Sequence, residues 1–183
     1  ALRSLWPGRR QALWEVLKQV RRRHCSLKLF DRAPSPSAPP LPTMNALEET
    51  VMDYRMLGLS HAHHPMSFHR DQLQAEGILS ARQLREAAPQ SVVHVAGIVI
   101  CRQRPGSAKG MLFITLEDET GMVNVVVTPP ILGAYRAIAT LEPTLYVTGI
   151  LERREEVINV KAQAMAALSA SEATRLYRSR DFR

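Results

Sequence analysis

The sequence predicts an all-β barrel of five strands with one inserted helix, preceded by α-helices and a proline-rich linker. From Ser91 onwards, apolar residues alternate with polar ones in short runs rich in Val and Ile, and Gly, Pro or charged turns separate the runs. That pattern is typical of strands buried on one side. Before Ser91, apolar residues recur every three or four positions, as on the buried side of a helix.

These patterns divide the 183 residues into five parts. They are a basic helical segment (1–33), a Pro-rich linker (34–42), a helical connector (43–90), the barrel (91–168) and a C-terminal tail (169–183).

Helices are predicted over residues 9–23, 43–57 and 81–88. Thr43 and Ser80 are expected to cap the second and third of them, because a hydroxyl accepts a hydrogen bond from a free amide of the first turn. Gly58 is expected to end the second helix. The prolines of the linker remove backbone donors and predict an extended chain.

The predicted strands cover residues 92–104, 111–117, 122–127, 144–153 and 157–164. A short helix fits residues 131–140, between the third and fourth strands. This order is that of an OB-fold barrel, whose ligands lie on strands two and three between the loops that join strands one to two and four to five.

Cations in and near those two loops predict a nucleic-acid-binding groove. Phe113 is expected to share the outer side of strand two with Thr115 and Glu117, where it could stack on a base, although a core position is an equally open interpretation. Asn124 could contact a base or sugar. The predicted nucleic-acid-binding residues are Arg102, Arg104, Lys109, Phe113, Asn124, Arg153, Arg154 and Lys161.

The net charge of +7 is unevenly distributed. Residues 1–33 hold nine basic and two acidic side chains, whereas residues 91–164 hold seven of each and are neutral. The barrel is therefore expected to bind through local clusters of charge. No apolar run approaches the ~18 residues that span a bilayer, and the two distant cysteines fit a reducing, cytoplasmic setting.

Metal binding is considered at two places and predicted at neither. The histidines of 61–69 have no carboxylate or thiolate at ligand spacing, and Pro65 interrupts any helical register. Asp118 and Glu119 precede Thr-Gly, which predicts a hairpin turn in which Asp118 accepts backbone hydrogen bonds.

Several motifs occur in an order that resembles the C-terminal region of the bacterial error-prone DNA polymerases, in the family of the polymerase III alpha subunit. They are RQRPGSAKG at 102–110, FITLEDETG at 113–121, DYR at 53–55 with GLS at 58–60, HP at 64–65, RRQALW at 9–14 and SRDFR at 179–183. The resemblance covers nearly the whole chain outside the linker. It suggests that the chain is the C-terminal piece of a longer protein.

The resemblance implies a parent DNA-directed DNA polymerase, a nucleotidyltransferase acting in translesion synthesis and DNA repair with Mg²⁺. Its metal-binding acidic residues lie upstream in the family, so we predict no catalytic residue, cofactor or metal site in this segment. Single-stranded template DNA is the expected ligand. Accessory proteins of the bypass assembly and the sliding clamp are the implied protein partners.

Two alternatives stay open. The segment could be a docking module that recruits those accessory proteins, because the barrel has few aromatics and residues 175–183 look like an exposed peptide. Plain disorder of that tail is the competing interpretation. An anticodon-binding OB domain of a tRNA synthetase would share the barrel, but it leaves the linker and the flanking motifs unexplained.

Overall fold

The computed structural model describes residues 8–24, 41–154, 157–168 and 180–182. The chain forms two compact units, residues 1–49 and residues 50–183. Most of the predicted linker (34–42) and tail (169–183) lies outside the described residues. Within the described part, no helix is long and apolar enough to cross a membrane.

In the part of the chain that the structure describes, four α-helices and one 3-10 helix precede the barrel. They are α1 (Arg9–His24), α2 (Ala46–Leu57), α3 (Arg70–Ala75) and α4 (Ala81–Leu84), with a 3-10 helix at Pro65–His69. The predicted cap at Thr43 is wrong, because Asn45 Oδ1 accepts the Glu48 amide at 2.8 Å and Glu48 Oε2 accepts the Asn45 amide at 3.1 Å. The Asn45 amide, and then the Arg10 guanidinium, hold the pKa of Glu48 below its ordinary value.

The predicted cap at Ser80 is confirmed. Its hydroxyl accepts the Gln83 amide at 3.3 Å, and the Gln83 side chain accepts the Ser80 amide at 2.9 Å. The helix that follows ends at Leu84, earlier than predicted. Pro89 disfavours helical backbone at the residue before it, which limits how far this helix can extend.

Five strands close into the predicted barrel. They are β1 (Val92–Gln103), β2 (Leu112–Asp118), β3 (Gly121–Val127), β4 (Thr144–Arg154) and β5 (Val157–Ala167). The order around the barrel is β1-β2-β3-β5-β4 and back to β1, and the β3–β5 pair is parallel whereas the others are antiparallel. The predicted OB-fold barrel is confirmed.

The inserted helix is two short helices, α5 (Pro129–Ala134) and α6 (Arg136–Leu141). The backbone leaves the helical region at Tyr135, where φ is −116° and ψ is 26°. Leu132 and Ala139 are buried in the barrel's apolar core, so both helices pack against it.

A sixth strand, β6 (Arg180–Phe182), runs parallel to Cys101–Gln103 of β1. At these three residues the backbone pairs with the sheet, which plain disorder of the tail does not predict. The rest of the segment 175–183 lies outside the described residues.

The barrel has one outer face that is covered and one that is open. Inside it, inward residues of all five strands form the main core. Outside, the connector packs Met66, Leu73 and Ile78 against Ala96 and Ile98 of β1. The outer face of β2, β3 and β5 is therefore the one on which a ligand could lie.

Candidate nucleic-acid interface

The open face presents two rows of side chains across neighbouring strands. In one row Phe113 pairs with Val126, which in turn pairs with Lys161. Asn124 pairs with Asn159 in the next row. Asn124 and Lys161 are exposed and Phe113 is half-buried.

Phe113 lies on the outer side of β2, as the alternation predicts. Its neighbours Leu112 and Ile114 are buried, at 6% and 1% exposure. Thr115 and Glu117 share the outer side with Phe113. Phe113 can therefore offer one ring face to a base, and Glu117 places a carboxylate on the same strand.

Arg104 and Lys109 line a depression next to the loop between β1 and β2. Its volume is about 280 Å³, and Arg136 of α6 is the third cation in its wall. The remaining lining residues are Gly110, Leu112, Pro129, Leu132, Gly133 and Thr140. No carboxylate is among these lining residues, so the described part of the wall is positively charged.

Arg153 and Asn124 line a second depression, of about 560 Å³, between α4 and the start of β3 and β5. Arg85 adds a further guanidinium. Arg153 Nη2 donates to the carbonyl oxygens of Arg85 and Ala87, which holds its side chain against the end of α4. The other lining residues are Ala81, Leu84, Met122, Val123, Val157 and Ile158.

Arg102 does not lie on this surface. It is 6% exposed, and its Nε donates to the carbonyl oxygen of Ala139 at 2.7 Å. A second donor of the same guanidinium bonds the carbonyl oxygen of Glu142. We therefore assign Arg102 to the attachment of α6. The side chain of Arg154 lies outside the described residues.

The structure thus separates the predicted groove into two parts. Arg104 and Lys109 of the first loop line one depression and Arg153 of the β4–β5 hairpin lines the other, and the two depressions share no residue. Lys161 lines neither of them. Between them lies β3, whose residues 122–127 span roughly 17 Å at ~3.3 Å per residue. A single strand that contacts both depressions would follow β3.

Arg85 and Arg136 are missed by the sequence prediction. Arg85 is the first residue after α4 and Arg136 is the first residue of α6, so neither lies in the loops in which binding cations were expected. Arg136 had one usable signal, since a helix inserted after strand three must return close to the loop between strands one and two.

The acidic turn after β2 is structural, as predicted. Asp118 Oδ1 accepts the amides of Thr120 and Gly121 at 2.7 and 3.0 Å. Asp118 Oδ2 accepts the Ala81 amide at 2.7 Å and lies 3.2 Å from Arg70 Nη2. Glu119 also pairs with Arg70. Through these hydrogen bonds and ion pairs the turn holds the connector against the barrel.

His64 also has a structural role, as the cap of the 3-10 helix in the connector. Its Nδ1 accepts the Met66 amide at 3.2 Å at the start of the 3-10 helix. Burial lowers the pKa of His64, against the opposing effect of the carboxylates of residues 117–119. Among the described residues, no group of three His, Cys, Asp or Glu side chains is arranged to hold a metal.

Comparison with known proteins finds one matching domain model and similar polymerase sequences. Residues 93–168 match the model of a family described as an OB-fold nucleic acid binding domain. An error-prone DNA polymerase of Bradyrhizobium sp. (strain ORS 278) is 38% identical over 176 residues, which are 93% of this chain and 15% of that protein. One of Anaeromyxobacter sp. (strain K) is 38% identical over 182 residues, covering 100% of this chain and 16% of that protein.

Among solved structures, asparaginyl-tRNA synthetase from Pyrococcus horikoshii is similar in fold, with a TM-score of 0.44 and 21% sequence identity. The superposed region covers 51% of this chain and 23% of the synthetase chain. The present chain spans about one sixth of the length of the two polymerases it matches.

Proposed function

We propose that the chain is the C-terminal, non-catalytic part of an error-prone DNA polymerase and that its barrel holds single-stranded template DNA. Nearly the whole chain is homologous to a segment of such polymerases. It also contains an OB-fold nucleic acid binding domain. The parent enzyme then synthesises DNA past damaged template during repair. We assign the Mg²⁺-dependent nucleotidyl transfer to parts of the polymerase outside this segment.

The observation that carries the proposal is the pair of cation-lined depressions at opposite ends of β3. Arg104 and Lys109 contribute to one and Arg153 to the other, and no carboxylate of the described residues lines either. Phosphates of a bound strand would neutralise these cations and release counterions. The outer face between them offers Phe113 and Asn124 to the bases.

The composition of this face sets the expected strength and specificity. Stacking on an aromatic residue is worth about 1–3 kcal/mol per base. Among the residues of β2, β3 and β5, Phe113 is the one aromatic. Binding should therefore be mainly electrostatic, modest in affinity, tolerant of sequence and sensitive to salt.

Fluorescence anisotropy with a labelled oligo-dT tests the proposal. Replacement of both Arg104 and Lys109 by Ala should weaken binding by about tenfold at low salt. The slope of the logarithm of affinity against the logarithm of salt concentration should become shallower by about 0.7 for each phosphate that the variant no longer neutralises. Arg82→Ala removes an exposed cation that lines neither depression and should leave affinity unchanged. Equal affinity of the double variant and the wild type would overturn the proposal.

A docking module for accessory proteins is the second candidate. Its support is the scarcity of aromatics on the open face and the pairing of β6 with β1, since addition of a strand to a sheet edge is a common way to bind a peptide. A chain truncated after residue 174 should lose capture of purified bypass proteins or clamp and keep oligonucleotide binding. Loss of oligonucleotide binding alone would instead favour the first candidate.

A further inference from the structure

The depression beside the first loop, which we call the loop pocket, is lined by three cations from two separate elements. Arg104 and Lys109 come from the β1–β2 loop, and Arg136 comes from α6. Lys109 and Gly110 both have left-handed backbone, with φ of 50° and 84°. This tight turn brings the lysine and the start of β2 close to α5, where the Cβ of any residue at position 110 would lie 3.6 Å from Pro129 Cγ.

The positive charge of the loop pocket is not neutralised by the described part of the protein. Within the described residues, no carboxylate lines it and these three cations have no ion-pair partner. Arg70, in contrast, is paired with Asp118 and Glu119. Three like charges facing one depression repel each other, and an anion bound there would relieve the repulsion.

The shape and charge of the pocket indicate which anion fits. Its apolar lining residues include Leu112, Pro129 and Leu132. An internal phosphodiester carries one negative charge, whereas a phosphate monoester carries about −1.5 to −2 at neutral pH and offers three acceptor oxygens. Two guanidinium groups and one ammonium match the monoester better in both charge and number of donors.

We propose that Arg104, Lys109 and Arg136 form a pocket for the terminal phosphate monoester of a nucleic-acid strand. The strand rests on the proposed function, whereas the affinity for phosphate follows from the pocket itself. The terminal phosphate occupies the loop pocket, and the following nucleotides run onto the open face of β2 and β3. The barrel thereby distinguishes a phosphorylated strand end from continuous single strand.

The test compares oligonucleotides that differ at one end. The full chain is titrated against a 3′-labelled strand bearing 5′-phosphate or 5′-hydroxyl, and against a 5′-labelled strand with or without 3′-phosphate. We expect one phosphorylated end to bind about tenfold more tightly than its hydroxyl counterpart, as one or two charge-assisted hydrogen bonds would give. Equal binding of all four strands by the wild type would overturn the proposal.

Variants of the pocket assign the preference to its residues. Arg136→Ala and Lys109→Ala should abolish the preference for the phosphorylated end, and Arg136→Lys should keep part of it. Lys161→Ala changes an exposed cation of β5 outside the pocket, and should weaken both strands alike. A preference that survives in a folded Arg136→Ala variant contradicts the assignment.

A calorimetric titration with inorganic pyrophosphate separates this inference from the proposed function. If no oligonucleotide binds but pyrophosphate binds to the wild type and not to Arg136→Ala, the proposed strand binding is wrong and the anion pocket stands. If hydroxyl-ended strands bind well while pyrophosphate and terminal phosphates have no effect, the proposed function stands and the pocket is wrong.

Discussion

The Nε atom of Arg102 lies 2.7 Å from the carbonyl oxygen of Ala139 in the last turn of α6. The last carbonyl oxygens of a helix have no partner within the helix, and a buried one needs a donor from elsewhere. The guanidinium supplies donors to Ala139 and to Glu142 just beyond the helix. An arginine of the predicted binding loop thus fastens the inserted helices to the barrel.

Replacement of Arg102 by Met should therefore destabilise the fold. It removes charge-assisted hydrogen bonds and leaves buried carbonyl oxygens without a donor, and we expect a loss of about 2–3 kcal/mol in the free energy of unfolding. Urea unfolding followed by circular dichroism measures it. Arg104→Met, at an exposed position two residues away, should change stability by less than about 0.5 kcal/mol. Equal losses in the two variants would refute the structural role of Arg102.

The position of Arg102 shows where the period-two pattern fails. Along β1, Val93, Val95 and Val99 point into the barrel, so strict alternation would place residues 101 and 103 inside and Arg102 outside. The register against β2 shifts between Val99 and Cys101. An extra residue on one strand exchanges the two faces beyond it, and the sequence carries no strong mark of such a bulge.

The remainder of the barrel follows closely from its sequence. Strands two to five lie where alternation and turn residues predict them, because each strand buries one side in a shared core. The candidate site was less predictable. Arg85 and Arg136 join Arg153 and Lys109 only through tertiary packing, which local patterns do not encode.

Gly149 should tolerate no side chain. A Cβ at this position would lie 2.4 Å from the carbonyl oxygen of Lys161 and 2.8 Å from Val160 Cγ1, at the register shift between β4 and β5. We expect Gly149→Ala to lower the free energy of unfolding by about 2–3 kcal/mol, because neither the carbonyl group of Lys161 nor the packed side chain of Val160 can move away freely. Thermal unfolding measures the effect.

Gly133→Ala is the matched control, since nothing lies within 4 Å of a Cβ at that position of α5. It should leave stability unchanged or raise it by about 0.5–1 kcal/mol through helix propensity. A Gly149→Ala variant as stable as Gly133→Ala would show that the β4–β5 contact is looser than the structure indicates.

The acidic turn after β2 should stabilise the packing of the connector on the barrel through the ion pair of Asp118 with Arg70. Asp118→Asn removes the charge and one acceptor oxygen from a carboxylate that is 4% exposed, so we expect a loss of about 3 kcal/mol. Arg70→Met completes a double-mutant cycle, measured by urea unfolding. The stability loss of the double variant should be smaller than the sum of the two single-variant losses by at least about 1 kcal/mol. Simple additivity would mean that the ion pair between Arg70 and Asp118 contributes nothing to stability.

His64 should make stability fall at mildly acidic pH. Burial lowers its pKa in the folded chain below the ordinary 6.5. The unfolded chain then takes up the proton first, so the free energy of unfolding decreases as pH falls through about 6.5 and levels off below the folded-state pKa. Protonation at Nδ1 also removes the acceptor for the Met66 amide.

The comparison that isolates this effect is His64→Asn, because an Asn side-chain oxygen can also cap the 3-10 helix and does not titrate. Urea midpoints measured from pH 7.5 to 5.5 should fall more steeply for the wild type than for His64→Asn, with the two curves closest at the alkaline end. The other histidines are common to both proteins, so the difference between the curves reports on His64 alone. Parallel curves across this range would mean that His64 takes up a proton equally readily in the folded and unfolded chain.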